Sequence, residues 1–153
     1  MVEFRRFQAE DLEEIIDLCK PEGWDSYTAD PERTFRALSA PGVITVVAVE
    51  SGHVCGFAQL LTDGAIRAYL TNIVVAASMR GVGIGKRLVN ELFVRAKPVY
   101  IDLLSTEGAT SFYDTLPHRR LAGYRIYHQQ LTVNDVRAAP GRNLPWPDED
   151  HTA

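Results

Sequence analysis

Residues Arg80-Gly81-Val82-Gly83-Ile84-Gly85-Lys86 carry the clearest chemistry in the sequence. Three glycines at alternate positions take every second side chain out of a turn, which frees backbone N–H groups to converge on an anion. A helix starting there adds its unpaired first-turn N–H groups and the positive end of its dipole. Together these make a seat for a pyrophosphate. Arg80, Lys86 and Arg87 place positive charge around it. Two other phosphate loops fit poorly. A P-loop needs GxxxxGK[ST], but Gly81 and Gly85 stand one residue too close and Arg87 replaces the magnesium-binding hydroxyl. A dinucleotide loop needs GxGxxG and follows the first strand, whereas Lys86 takes the third glycine's place and the loop follows the fourth predicted strand. The bland alternative is a glycine turn that only permits close packing.

For this loop to hold an anion, a strand must deliver it and a helix must leave it. Residues 66–76 (IRAYLTNIVVA) read as the strand. Leu88, Val89, Leu92, Phe93 and Ala96 give the helical stripe, and Pro98 stops it. Residues 99–104 (VYIDLL) read as a buried-type strand, so 66–104 forms a strand–helix–strand unit with parallel outer strands and a right-handed crossover.

Upstream, residues 2–7 read as a first strand, and Leu12, Ile15, Ile16 and Cys19 mark a helix over roughly 9–19 that Pro21 and Gly23 end. Residues 22–27 read as a loop carrying Trp24 and Tyr27. Asp30-Pro31 starts a second helix, with Asp as N-cap and Pro at the first helical position, and it runs to about Ser39. Residues 43–50 and 53–61 form a hairpin about Ser51-Gly52, and Asp63-Gly64 turns into the fourth strand. Downstream, Ala109, Phe112, Tyr113 and Leu116 mark a short helix, and 123–131 reads as a last strand. The order β-α-α-β-β-β-α-β-α-β predicts an α/β fold with a mixed sheet and helices on its faces. Residues 1–134 form the expected single domain. Residues 135–153, a Pro-rich acidic tail, are expected to pack loosely.

At 153 residues, 46% hydrophobic and 24% charged, the chain predicts one ordered globular domain. Its net charge of −4 argues against a nucleic-acid partner bound through phosphate neutralisation. No apolar run reaches a membrane span, and the first residues lack a signal-peptide pattern. No membrane association is therefore expected. Cys19 and Cys55 stand outside any CxxC and read as free thiols of a reducing compartment, which predicts a cytoplasmic protein. His53, His118, His128 and His151 form neither HxH nor HExxH, so no metal site is expected.

Arg80-x-x-Gly83-x-Gly85 resembles the (Arg/Gln)-x-x-Gly-x-(Gly/Ala) signature of the GNAT family of N-acetyltransferases. The likeness extends back to Ile73-Val74-Val75 at the end of the preceding strand. It extends forward through Leu88 and Leu92 to Ala109-x-x-x-Tyr113, which matches the family's Ala-x-x-x-Tyr. Element order agrees over 2–131. The resemblance implies a GNAT fold with acetyl-CoA as co-substrate, lying where the fourth and fifth strands splay apart. Backbone N–H groups around Arg80, Gly81, Val82, Gly83, Ile84, Gly85 and Lys86 would hold the pyrophosphate. The main-chain edge at Ile73, Val74 and Val75 would pair with the pantetheine arm and polarise the thioester carbonyl. A bound amine would attack directly, without an acyl-enzyme. Tyr113 would protonate the leaving thiolate, a phenol near pKa ~10 serving a thiol near ~8.5. The base stays open between Asp102, Asp63 and a water chain. Trp24 and Tyr27, with Asp25 between them, would face the acceptor, unless these aromatics only pack their loop onto the sheet.

Two departures from the family pattern stand out. Ser105-Thr106 takes the place of an Asn that many members carry after the fifth strand. The segment TLPHRRLA lengthens the path from Tyr113 to Gly123-Tyr124 by about six residues and brings in His118, Arg119 and Arg120. The expected function is acetyl transfer to the primary amine of a small-molecule or amino-acid-like acceptor. The alternatives are a peptide or protein acceptor, a different acyl group, or a non-catalytic acyl-CoA-binding regulatory module. Relatives often dimerise through their last strands, so 123–131 offers an edge for a homodimer.

Overall fold

A computed structural model describes residues 1–126. Met1–Arg119 form one compact unit. Within it run β1 (Glu3–Arg6), α1 (Leu12–Cys19), α2 (Asp25–Thr28), α3 (Pro31–Ser39), β2 (Val43–Glu50), β3 (His53–Thr62), β4 (Arg67–Val75), α4 (Ile84–Ala96), β5 (Tyr100–Asp102) and α5 (Thr110–Tyr113). The five strands make one sheet in sequence order, antiparallel from β1 to β4 and parallel between β4 and β5. The mixed α/β fold expected from the sequence is the one observed. Residues 123–126 carry no strand, and the rest of the expected last strand and the whole of 135–153 lie outside the described residues.

The apolar run of β2 is continuous because helices cover both faces of the sheet. On one face Val46, Ala48, Ala58, Leu60 and Leu70 pack against Ile84, Leu88 and Leu92 of α4. On the other, Val47, Val49, Phe57 and Val74 pack against Ile15 and Cys19 of α1 and Leu38 of α3. Buried Thr45 interrupts the run harmlessly, since its hydroxyl donates to Leu38 O at 2.8 Å. The hairpin turn holds both Ser51 (φ 52°) and Gly52 (φ 85°) in the left-handed region, the mirror-image turn that fits strand twist. Asp30 caps α3 as expected, its Oδ1 accepting from Arg33 N at 3.0 Å with Pro31 following. At the N-terminal end, Glu14 of α1 reaches the start of β3, accepting from Val54 N at 2.6 Å and lying 2.8 Å from His53 Nδ1.

Two expectations shift. Residues 25–28 form the short helix α2 rather than continuing a loop, because Tyr27 is anchored from two sides: Thr34 Oγ1 donates to Tyr27 O at 2.7 Å, and the phenol reaches the sheet. The fifth strand shrinks to three residues, Tyr100–Asp102, and that shortening opens the site.

Candidate active site

β5 pairs with β4 only through Arg67, Ala68 and Tyr69. Just beyond, the β3–β4 register slips: Gln59 faces Asn72 while Leu60 faces Leu70, leaving Thr71 as an extra residue. Such a bulge bends a strand and increases its twist. The Thr71 hydroxyl holds the bulge, 3.0 Å from Gln59 O and 2.9 Å from Gln59 Oε1. From Leu70 to Val75, no described strand pairs with the outer side of β4. Ala76 N donates to Cys55 O on β3 at 2.8 Å. By strand alternation Val74 also turns to β3, and Ile73 and Val75 point their N–H and C=O to the open side. Ile73 and Val75 therefore present the edge, and Val74 backs it.

The glycine loop follows. Gly81 (φ 82°) and Gly83 (φ 92°) both adopt left-handed backbone, and nothing stands where their Cβ atoms would be. These two glycines serve the turn, not crowding. Gly83 caps α4 without a side chain, and the first helical bond runs from Arg87 N to Gly83 O at 3.1 Å. The N–H groups of Ile84, Gly85 and Lys86 precede that bond and face no capping side chain, while Val82 lies exposed in the turn. Uncapped N–H groups at a helix start are of the kind that fits a diphosphate. The charge around it differs from expectation. Arg80 donates from Nε to Val75 O at 2.9 Å and pairs through Nη2 with Glu22. Arg87 pairs with Glu91 at 3.1 Å and lies over the Phe4 ring. Lys86 alone of the three cations makes no ion pair among the described residues. Positive potential at this loop thus comes from backbone and dipole more than from side-chain charge.

Gly85 differs from its two neighbours. A Cβ there would stand 2.9 Å from Phe112 Cε2 and 3.2 Å from Cζ, so α5 is seated on the first turn of α4. Next to Phe112 lies Tyr113, with ring centroids 5.1 Å apart and nearly perpendicular. Tyr113 packs on the same apolar cluster as Ile73, Val75 and Ile84. Burial, with Tyr69 second, raises the Tyr113 phenol above its ordinary value. The structure therefore brings Tyr113, the β4 edge and the start of α4 together on one side of the sheet.

Trp24 and Tyr27 belong to the other side. The Trp24 ring meets Phe57 edge-on at 6.4 Å and Tyr27 at 6.1 Å. The Tyr27 hydroxyl lies 2.5 Å from Gln59 Oε1 and 2.6 Å from Asn72 Oδ1, and Gln59 Nε2 donates to Ala37 O at 2.8 Å. Burial first, then the neighbouring Cys19, pushes the Tyr27 phenol up to about 12. Tyr27 is thus a fixed post between the α1–α3 layer and β4. Glu22, on the turn Lys20–Glu22, carries this layer across to the glycine loop through Arg80. Gln59, Asn72 and Glu22 went unnoticed in the sequence. A lone Gln within the apolar run 53–61 was the available signal for the first of them.

Among the base candidates, Asp63 accepts from Ala65 N, Ile66 N and Arg67 N, and these backbone bonds hold its carboxyl below the ordinary range. It is a turn cap and a poor proton acceptor. Asp102 lies 3.5 Å from Arg67 Nη1. Burial, then Glu22, pushes the Cys19 thiol up to about 12, and burial raises Cys55 too, so both buried thiols stay protonated. Ser105 and Thr106 are exposed, and Ser105 Oγ donates to Thr106 O at 2.9 Å. His118, Arg119 and Arg120 are exposed, in a segment without helix or strand. No cluster of three or more metal-ligating side chains occurs among the described residues, and no described helix is long and apolar enough to cross a membrane.

Residues 9–116 match the family model described as the acetyltransferase (GNAT) family. An acetyltransferase from Trypanosoma brucei has a similar structure, with a TM-score of 0.63 and 23% identity over 84% of this chain and 100% of that one. The structure of AAC(6')-Iy with the bisubstrate analogue CoA-S-monomethyl-acetylneamine aligns with a TM-score of 0.66 and 18% identity, over 85% and 99% of the two chains. Ribosomal-protein-alanine N-acetyltransferase from Brucella melitensis biovar Abortus 2308 aligns with a TM-score of 0.67 and 18% identity, over 83% and 99%. At these identities the likeness is one of fold. No curated protein sequence matches the chain.

Proposed function

The chain belongs to the acetyltransferase (GNAT) family, and from that premise we propose that it transfers an acetyl group from acetyl-CoA to the primary amine of a small-molecule or amino-acid-like acceptor. The observation that carries the reading is the coincidence of three features at one place. These are the open edge of β4 at Ile73 and Val75, the uncapped start of α4 behind Gly83, and the half-buried Tyr113. Backbone N–H groups from Gly81 to Lys86 would hold the diphosphate. The outward N–H and C=O of Ile73 and the N–H of Val75 would align the pantetheine amides, the Val75 carbonyl being held by Arg80 Nε, and a backbone N–H of this edge would polarise the thioester carbonyl. When bound, acetyl-CoA supplies an activated acyl group that an amine can attack directly.

The chain's own residues then manage protons and position. Tyr113 holds its proton through the physiological range and would deliver it to the departing sulfur. Neither thiol is needed as a nucleophile. The Trp24–Tyr27 segment, braced on Gln59 and Asn72, would form the acceptor-side wall. The reading includes a cytoplasmic location, and a homodimer remains part of it only through residues 123–131.

Thermal unfolding with and without acetyl-CoA tests the reading, with ATP and NAD as controls. Ligand at about 100 times Kd adds about 2.7 kcal/mol. For a chain of this size, acetyl-CoA alone is expected to raise the midpoint by about 5–10 °C. Release of free CoA thiol in an amine screen then identifies the acceptor class. No shift with acetyl-CoA overturns the proposal.

A further inference from the structure

We propose that Phe112 is a positioning residue, seated on Gly85 so that the absence of a side chain at position 85 sets where the Tyr113 hydroxyl stands. The inference rests on the acetyl-transfer reading only for Tyr113's role as proton donor; the contact itself does not depend on it. Position 85 is the odd member of the glycine loop. Gly81 and Gly83 need left-handed backbone and face open space. Gly85 has ordinary helical backbone, and what it lacks is room: the ring of Phe112 occupies the volume a methyl group would take. The loop therefore divides its labour. Two glycines shape the anion cradle, and the third lets α5 close onto α4.

The consequence passes directly to Tyr113. α5 spans only Thr110–Tyr113, so Phe112 and Tyr113 share its single turn. Phe112 and Tyr113 are adjacent, with their rings in edge contact at 5.1 Å. An alanine at 85 must displace the outer edge of the half-buried Phe112 ring by a few tenths of an ångström, and on this proposal the shift is passed to the adjacent phenol through the ring contact rather than absorbed by rotation of Phe112 alone. A misplacement of about 1 Å costs on the order of 100-fold in rate. The backbone N–H of residue 85 is unaffected by the substitution, so binding of the diphosphate persists.

The test is a pair of double-mutant cycles, Gly85→Ala with Phe112→Leu and Gly85→Ala with Tyr113→Phe. Leucine lacks the Cε and Cζ atoms that crowd position 85. In the wild-type background G85A is expected to lower the melting temperature. In the F112L background it is expected to raise it, because the helix gain of alanine over glycine is then unopposed. Melting is read on the protein without ligand. In turnover, G85A is expected to lower kcat about 5- to 10-fold while acetyl-CoA affinity changes less than about twofold. In the Y113F background the same substitution is expected to cost less than about twofold in kcat. Equal destabilisation of wild type and F112L by G85A overturns the contact. A fall in acetyl-CoA affinity as large as that in kcat overturns the positioning role, and so does an undiminished kcat loss in Y113F. Failure of wild type to bind acetyl-CoA would instead overturn the acetyl-transfer reading, and the melting cycle would still decide the contact.

Discussion

At the scale of single residues, Tyr113 and Glu14 lend themselves to direct tests. Tyr113→Phe removes only the hydroxyl. It is expected to lower kcat by about 10²–10⁴ while leaving acetyl-CoA affinity unchanged, measured by turnover and by ligand-dependent melting. Because burial raises this phenol above its ordinary value of about 10, kcat should show no alkaline fall belonging to it below about pH 10. Glu14 is the opposite case. Its bonds from Val54 N and then from His53 hold the carboxyl below its ordinary value near 4.3. A depressed carboxyl contributes stability that is present above its unfolded value and is lost as pH falls through the folded one. Glu14→Gln is therefore expected to cost about 1 kcal/mol at pH 7, discounted for partial exposure, with the difference closing below about pH 4 in urea titrations. Residue types were legible here in part. Tyr113 stood out through the likeness of Ala109-x-x-x-Tyr113 to a family motif, and packing of Tyr27 onto the sheet was one of the readings, but its partners Gln59 and Asn72, 32 and 45 residues away, were not legible.

At the scale of elements, local signals read well wherever a local rule governs. Asp30-Pro31 marked the start of α3, Ser51-Gly52 its hairpin, and the Leu88–Leu92 spacing the buried stripe of α4. Reading failed where tertiary contacts decide. The helix α2 exists because Thr34 and the sheet hold Tyr27, and β5 pairs only with the part of β4 that precedes the bulge at Thr71. The glycine turn and the helix that leaves it were legible, but the division among its glycines was not, since the Phe112 contact crosses 27 positions of sequence. Gly83→Ala forces a side chain into φ 92° at the mouth of α4. The strain, about 1–2 kcal/mol, is expected to weaken acetyl-CoA binding about 5- to 30-fold, read by calorimetric titration. This places the loss in affinity, where the neighbouring substitution at Gly85 places it in turnover.

At the scale of the whole molecule, the sheet is the frame, and its two faces divide the tasks. The α4 face carries the start of α4 and Tyr113, the α1–α3 face carries Trp24 and Tyr27, and β4 lies between them. Phe57 shows what this frame is worth. It is fully buried beneath Trp24, and Phe57→Ala is expected to cost about 3–5 kcal/mol. That is a large share of the 5–15 kcal/mol typical of a domain, and should lower the melting temperature by about 10 °C. The same frame leaves Leu70–Val75 with one side unmatched among the described strands. An exposed strand edge is a template for another chain. The ligand that would carry the chemistry is also the piece that would complete the sheet, so supply of substrate and solubility of the protein become one variable. Light scattering on warming should show earlier association in protein stripped of ligand than in protein saturated with CoA, and the lag should lengthen with ligand concentration. Such a protein would lose colloidal stability whenever its co-substrate runs low, before any loss of the native fold.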